Sequence, residues 1–114
     1  MSEIEQYRYD FEIIRLTAEQ VIKDFGTHGI EINFSGNELT AYQELITQIK
    51  PVLLHLYQED KSAFQSLLYR IDIHEKKFRT LLNLPKEEFP ERLAELVVHR
   101  EFEKILLRKY FSGK

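Results

Sequence analysis

Apolar side chains in the first segment fall at Ile4, Tyr7, Phe11, Ile14, Ala18, Val21 and Phe25. Steps of three and four residues keep them on one stripe of an α-helix, the pattern of a helix half covered by a core. Tyr7, Tyr9, Phe11 and Ile13 also alternate with Arg8 and Asp10 as a strand would, but the alternation fails at Ile14 and the helical spacing continues to Phe25. The helix is expected to stop at Gly26, because glycine enters the left-handed conformation without a Cβ clash.

Gly29 to Phe34 alternates too briefly to need a partner strand and reads as an extended connection, anchored in the core by Ile30, Ile32 or Phe34. Ser35-Gly36-Asn37-Glu38 matches a capping box, in which the serine accepts an amide hydrogen bond and the glutamate reaches back. The second helix then carries Leu39, Tyr42, Ile46, Ile49, Leu53 and Leu56 as its seam and continues past Pro51. Pro51 falls opposite that seam with Glu44 and Gln58, where water can replace a lost backbone bond, so a bend is expected and not a break.

Glu59-Asp60-Lys61-Ser62 is a short polar turn that sends a third helix back antiparallel, with Phe64, Leu67, Leu68, Ile71, Phe78, Leu81 and Leu82 on its apolar face. Asp72-Ile73-His74-Glu75 matches a second capping box, so this helix is either continuous or broken near Asp72. Two prolines between residues 83 and 90 close the segment, and Pro90 suits the first turn of a fourth helix. The pattern predicts an all-α chain: a four-helix bundle, mostly antiparallel, with helices near 4–25, 37–58, 61–82 and 90–111 in a single domain over residues 1–114.

The fourth helix has apolar residues on more sides than one neighbour covers: Leu93, Leu96, Val97, Val98, Phe102, Ile105, Leu106, Leu107, Tyr110 and Phe111. Either it is the most enclosed element or part of it packs against another chain. Val98, Phe102, Ile105, Leu106, Tyr110 and Phe111 are the candidate interface, and a two-fold homodimer is the expected assembly.

Composition narrows the class. Apolar residues at 43% of the chain exclude a disordered segment, which could not bury enough surface to order itself. The absence of cysteine removes disulfides, thiolate metal sites and thiol nucleophiles, and fits a reducing compartment. The first residues lack a basic start followed by an apolar run, and no stretch of about 18 apolar residues occurs, so a cytoplasmic protein without membrane contact is expected.

The net charge of −3 conceals a gradient, with seven acids and three bases in residues 1–31 against five bases and two acids in residues 99–114. Arg100, Lys104 and Arg108 recur every fourth residue, extended by Lys109 and Lys114, and Lys76, Lys77 and Arg79 form a second cluster. Such a row with Tyr110 and Phe111 nearby is the footprint of a nucleic-acid surface. The plainer reading is a face paired with acids, because Glu101 and Glu103 interleave and cations near a helix carboxyl end are favoured by its dipole.

Chemistry of other kinds finds little material. No Glu-x-x-His pair of the di-iron type occurs, and Glu95, His99 and Glu103 at helical spacing read more simply as an exposed polar strip. His74 beside Asp72 and Glu75 suits a surface first turn better than proton transfer. None of Ser35, Ser62, Ser66 or Ser112 lies in a Gly-x-Ser-x-Gly turn, and four scattered glycines make no phosphate cradle. No catalytic residue, metal or cofactor is therefore expected. The leading expectation is a non-catalytic helical interaction protein that self-associates or docks a protein partner. Its alternatives are a nucleic-acid or ribonucleoprotein accessory using the basic row, and a ligand binder or enzyme whose site the sequence hides.

Overall fold

The computed structural model describes residues 10–111, and these residues are helical without a strand among them. Five α-helices follow in order: α1 (Phe11–Gly26), α2 (Ala41–Glu59), α3 (Lys61–Ile71), α4 (Glu75–Leu81) and α5 (Phe89–Leu106). A 3-10 turn, Glu38–Thr40, precedes α2, and a π turn, Leu107–Phe111, extends α5. The expected count of four helices is thus corrected to five, because the third segment divides. Ile4 and Tyr7, which begin the first predicted stripe, lie outside the described residues.

α1 starts where Asp10 accepts hydrogen bonds from the amides of Glu12 and Ile13 at 3.0 and 3.3 Å, satisfying two of the donors a helix start leaves open. It buries Ile14, Ala18, Val21 and Phe25 as the spacing predicts, together with Ile13 and Thr17 beside them. Phe11, assigned to the same stripe, is half exposed instead, at the first position of the helix. The helix does end at Gly26, but the left-handed residue is Gly29, with φ of 74°. The Ile30 amide then donates back to the Phe25 carbonyl and turns the chain.

The connection from Ile30 to Asn37 runs back along the molecule and inserts Ile32 into the core. It is held to α2 by a reciprocal pair: the Asn33 amide donates to Gln48 Oε1 at 2.9 Å, and Gln48 Nε2 donates to the Asn33 carbonyl at 2.7 Å. The expected capping box at Ser35 does not form. Ser35 Oγ donates instead to Glu44 at 2.6 Å, Glu44 also receives Thr40 Oγ1 at 2.6 Å, and the cap is Asn37, which accepts from the Leu39 amide. The Ser35 hydroxyl, the Thr40 hydroxyl and the Ser35 amide, which donates at 3.0 Å, together hold the Glu44 carboxyl below its ordinary value.

On α2 the expected seam members Ile49 and Leu53 are buried, but at its start Ala41 and Leu45 take the buried positions, whereas Tyr42 and Ile46 are only half-buried and Leu39 sits on the 3-10 turn in solvent. Pro51 lies exposed inside a helix that runs unbroken to Glu59. Asp60 then serves both helices, ending α2 and capping α3 by accepting from the Ala63 amide. The break near Asp72 is real, but Asp72 terminates α3 and does not start the next helix. It adopts φ of 71°, the Ile73 amide donates to the Leu68 carbonyl in Schellman fashion, and His74 caps α4 through Nδ1. Phe78 on α4 is consequently half-buried and not fully enclosed.

Side-chain pairs set the directions. Glu12 and Asp10 meet Lys109 and Tyr110, Asp24 meets Lys104, Tyr42 meets Phe102, and Lys50 meets Glu91. α1 and α2 each therefore run antiparallel to α5 and parallel to one another, a departure from an alternating bundle that the long return of residues 27–40 makes possible. α5 packs against each of the other four helices, and Leu93, Ala94, Val97, Val98, Phe102, Ile105 and Leu106 are buried. At the end where α5 starts, Tyr57, Phe64, Phe78 and Phe89 close the core with ring centroids 5.2 to 6.2 Å apart. No helix among the described residues is long and apolar enough to cross a membrane.

Leu53 is fully buried at the level of α3 and α5, so Leu53→Ala should lower unfolding stability by about 2 to 5 kcal/mol in chemical denaturation. Pro51→Ala restores an amide donor in an exposed helix interior, and the same measurement should show no loss or a gain in stability.

Candidate functional site

Four of the six candidate interface residues, Val98, Phe102, Ile105 and Leu106, are buried against their own chain. Ile105 and Leu106 pack with Ile13 and Phe102 in a satellite core, backed by Leu16 and Tyr42. For these four the first of the two expected arrangements holds, enclosure within the chain, with Ile13 and Leu16 of α1 and Tyr42 of α2 covering what one neighbour could not. Tyr110 remains exposed, and the Phe111 side chain lies outside the described residues.

The basic row is largely neutralised. Arg100 donates from Nε to the Asp72 carbonyl at 3.0 Å, from Nη2 to Asp72 Oδ2 at 2.7 Å and from Nη1 to Glu103 at 2.8 Å. Burial alone would lower the guanidinium pKa, but these two carboxylates raise it above the ordinary value. Lys104 points inward to Glu101 and Asp24, Lys109 pairs with Glu12, and Arg108 reaches Gln20 Oε1 at 3.5 Å. Pairing with acids leaves Arg100, Lys104 and Lys109 less charge with which to displace the counterions of a polyanion.

Arg100 also walls a surface hollow of about 260 Å³ between the α3–α4 corner and α5, with Ile73 and Leu96 as its apolar part and His74, Lys77 and His99 at the edge. His74 Nδ1 accepts the Lys76 amide at 3.2 Å, which fixes the neutral ring's proton on Nε2. Among the described residues, no group of three or more His, Asp or Glu side chains is placed to hold a metal ion. Glu95, His99 and Glu103 are accordingly not brought together as ligands.

The least expected grouping is interior. Asp24 on α1 and Glu101 on α5 are both buried and face the same cation, with Lys104 Nζ 2.9 Å from Glu101 and 3.5 Å from Asp24. Arg70 Nε and Gln20 Nε2 donate to Asp24 Oδ1 at 2.9 and 3.0 Å. Two carboxyls can share a hydrogen bond only if one is protonated, and the surroundings decide which. Burial raises the Asp24 pKa, but the bonds from Glu101, Arg70 and Gln20 and the Lys104 charge outweigh it and leave it below the ordinary value. Burial, then the bond to Asp24, push Glu101 up to about 8 despite the opposing pull of Lys104. A proton shared by the pair is thus drawn toward Glu101 and the negative charge toward Asp24. Sequence reading placed Glu101 among the acids interrupting a basic row. Helical spacing did hold a signal, since Glu101 lies one turn from Val97 and Ile105 on the buried face.

No protein-family model, curated protein or solved structure matches the chain.

Arg100→Ala should loosen the α3–α4 corner by removing its hold on the Asp72 carbonyl, lowering stability by about 1 kcal/mol, the usual net scale of such bonds. Amide exchange at Asp72 and Ile73 should quicken in the same variant, while exchange in the centre of α2 stays unchanged.

Proposed function

We propose that the chain is a non-catalytic helical interaction module that pairs with a second copy of itself through the end where α1 and α2 begin and α5 finishes. The observation that carries this reading is the apolar surface gathered there: Phe11 is 50% exposed, Leu39 78%, Leu107 45% and Tyr110 44%. The 3-10 turn bearing Leu39 packs against α1, and the contacts of Asp10 and Glu12 with Tyr110 and Lys109 bring the π turn beside the α1 start.

Side chains of this size leave on the order of 400 Å² of apolar surface at one end, enough for the core of an interface that covers about 800 Å² per partner once a polar rim is added. Asp10 and Glu38 bring acidic groups and Arg108 a basic one to its edge, while Glu12 and Lys109 are paired with each other within the chain. A rim of mixed sign suits a two-fold pairing, in which each acidic side can face the other copy's basic side. This surface replaces the buried helix face first expected to serve, and of the residues named for that face Tyr110 is retained.

Sedimentation of the full chain should show a concentration-dependent dimer in the micromolar range. Changing Leu39 and Leu107 together to serine should weaken it at least about tenfold, equivalent to roughly 1.4 kcal/mol, with unchanged helix content because both side chains are exposed. A chain that stays monomeric at high micromolar concentration, or a dimer indifferent to both changes, would overturn the assignment.

A further inference from the structure

Glu101 has no solvent exposure, and its carboxyl oxygens find no hydrogen-bond donor of good geometry in the protein, although Lys104 Nζ lies 2.9 Å away. Asp24 Oδ2, also buried, is in the same position with Lys104 at 3.5 Å. A buried carboxyl in this state is costly unless it carries a proton that bonds its neighbour. Glu101 and Asp24 belong to different helices, and their neighbours Val21 and Phe25 on α1 and Val97 and Ile105 on α5 are buried. With both carboxyls ionised, two negative charges would stand enclosed in the packed seam against Lys104 and Arg70, and hydrating them fully favours a looser α1–α5 contact.

We propose that the Asp24–Glu101 pair is a proton-linked latch on the α1–α5 seam, closed while one proton is held between the two carboxyls and released toward an open seam as that proton is given up. The charged groups acting on the pair are Lys104 from α5 itself, Asp24 from α1, and Arg70 from α3, which is bound to Asp24. α2 brings Lys50 to Glu91, and the α3–α4 corner with α4 brings Asp72, His74 and Lys77 to the hollow beside Arg100 and Glu103; these stand away from Glu101.

The direction follows from linkage. In the closed seam the Glu101 pKa is raised to about 8, against an ordinary 4.5 when open to water, so the closed form binds the extra proton between those values. Closing is therefore fully favoured below about pH 4.5 as far as Glu101 is concerned. Each unit of rise from there to about pH 8 shifts the balance toward opening by up to about tenfold, with no further change above. Asp24 has the opposite sign: its lowered pKa stabilises the closed seam above the ordinary 3.8 and withdraws that support as pH falls below it. Mild acid tightens the seam, and alkaline conditions loosen it. This holds whether or not the chain pairs with itself.

Glu101→Gln keeps the shape and a permanent donor toward Asp24 while removing the titration. Amide exchange across α1 and α5 should be measured in the wild-type chain and in this variant at matched pH from 5.5 to 8, the variant correcting for the faster intrinsic exchange at higher pH. Wild-type protection in the seam should fall relative to the variant by about tenfold or more over that range, with α2–α3 contacts less affected. A carbon-detected titration of the Glu101 carboxyl in the unmodified protein gives a second readout that needs no variant. Equal pH response in both proteins, or a Glu101 carboxyl that titrates near its ordinary value, would overturn the latch.

Discussion

The enclosure of α5 is the constraint on which the rest of the structure depends. Apolar residues on several sides of one helix cannot be covered by a single neighbour, and water is a poor alternative for side chains of this size. The other helices accordingly pack around it, α1 and α2 parallel to one another and α3 and α4 as a bent pair. Burying most of the circumference also draws in whatever polar residue shares it. Glu101 is enclosed because Val97 and Ile105, one turn to either side, must be. Its proton, its partner Asp24 and the inward turn of Lys104 are consequences of that packing.

Much of the secondary structure was legible, because periodicity and capping chemistry are local. The three-and-four spacing located α1, α2, α3 and α5, and Pro51 opposite the seam was rightly kept within one helix. Errors arose where one local signal competed with another. Ser35 and Asp72 each satisfied a capping pattern, but Glu44 offered Ser35 a charged acceptor, and Arg100, distant in sequence, held Asp72 in a left-handed helix end. The α2 seam holds at Ile49 and Leu53 but is displaced by one residue in the first turns, because Leu39 looked like its first member. Leu39 precedes the helix in a turn whose direction only tertiary packing sets.

The interior site was scarcely legible. Helical spacing puts Glu101, unlike Glu103, in line with Val97 and Ile105, but nothing local gives it an acidic partner or distinguishes Asp24 from the other acids of the amino-terminal third. The distinction appears only when α1 and α5 cross with residues 24 and 101 at the same level. The interface was misread for a related reason: surplus apolar surface was recognised correctly, but counting residues on a helix cannot say how many neighbours it will have. Exposed apolar groups instead collect at the helix ends, where the covering elements themselves start and stop.

Placing the central helix last along the chain orders events during synthesis. When α1 and α2 emerge from the ribosome, the surface each presents to α5 has no complete partner until about 80 and about 50 further residues, respectively, are translated, several seconds or more at ordinary elongation rates. α2 and α3, joined through the single residue Asp60, can associate at once, whereas contacts such as that of Asp24 with Glu101 must close a long loop. The nascent chain thus carries its half-built core exposed until α5 arrives, and it is in that interval that a chaperone would find its apolar stripes.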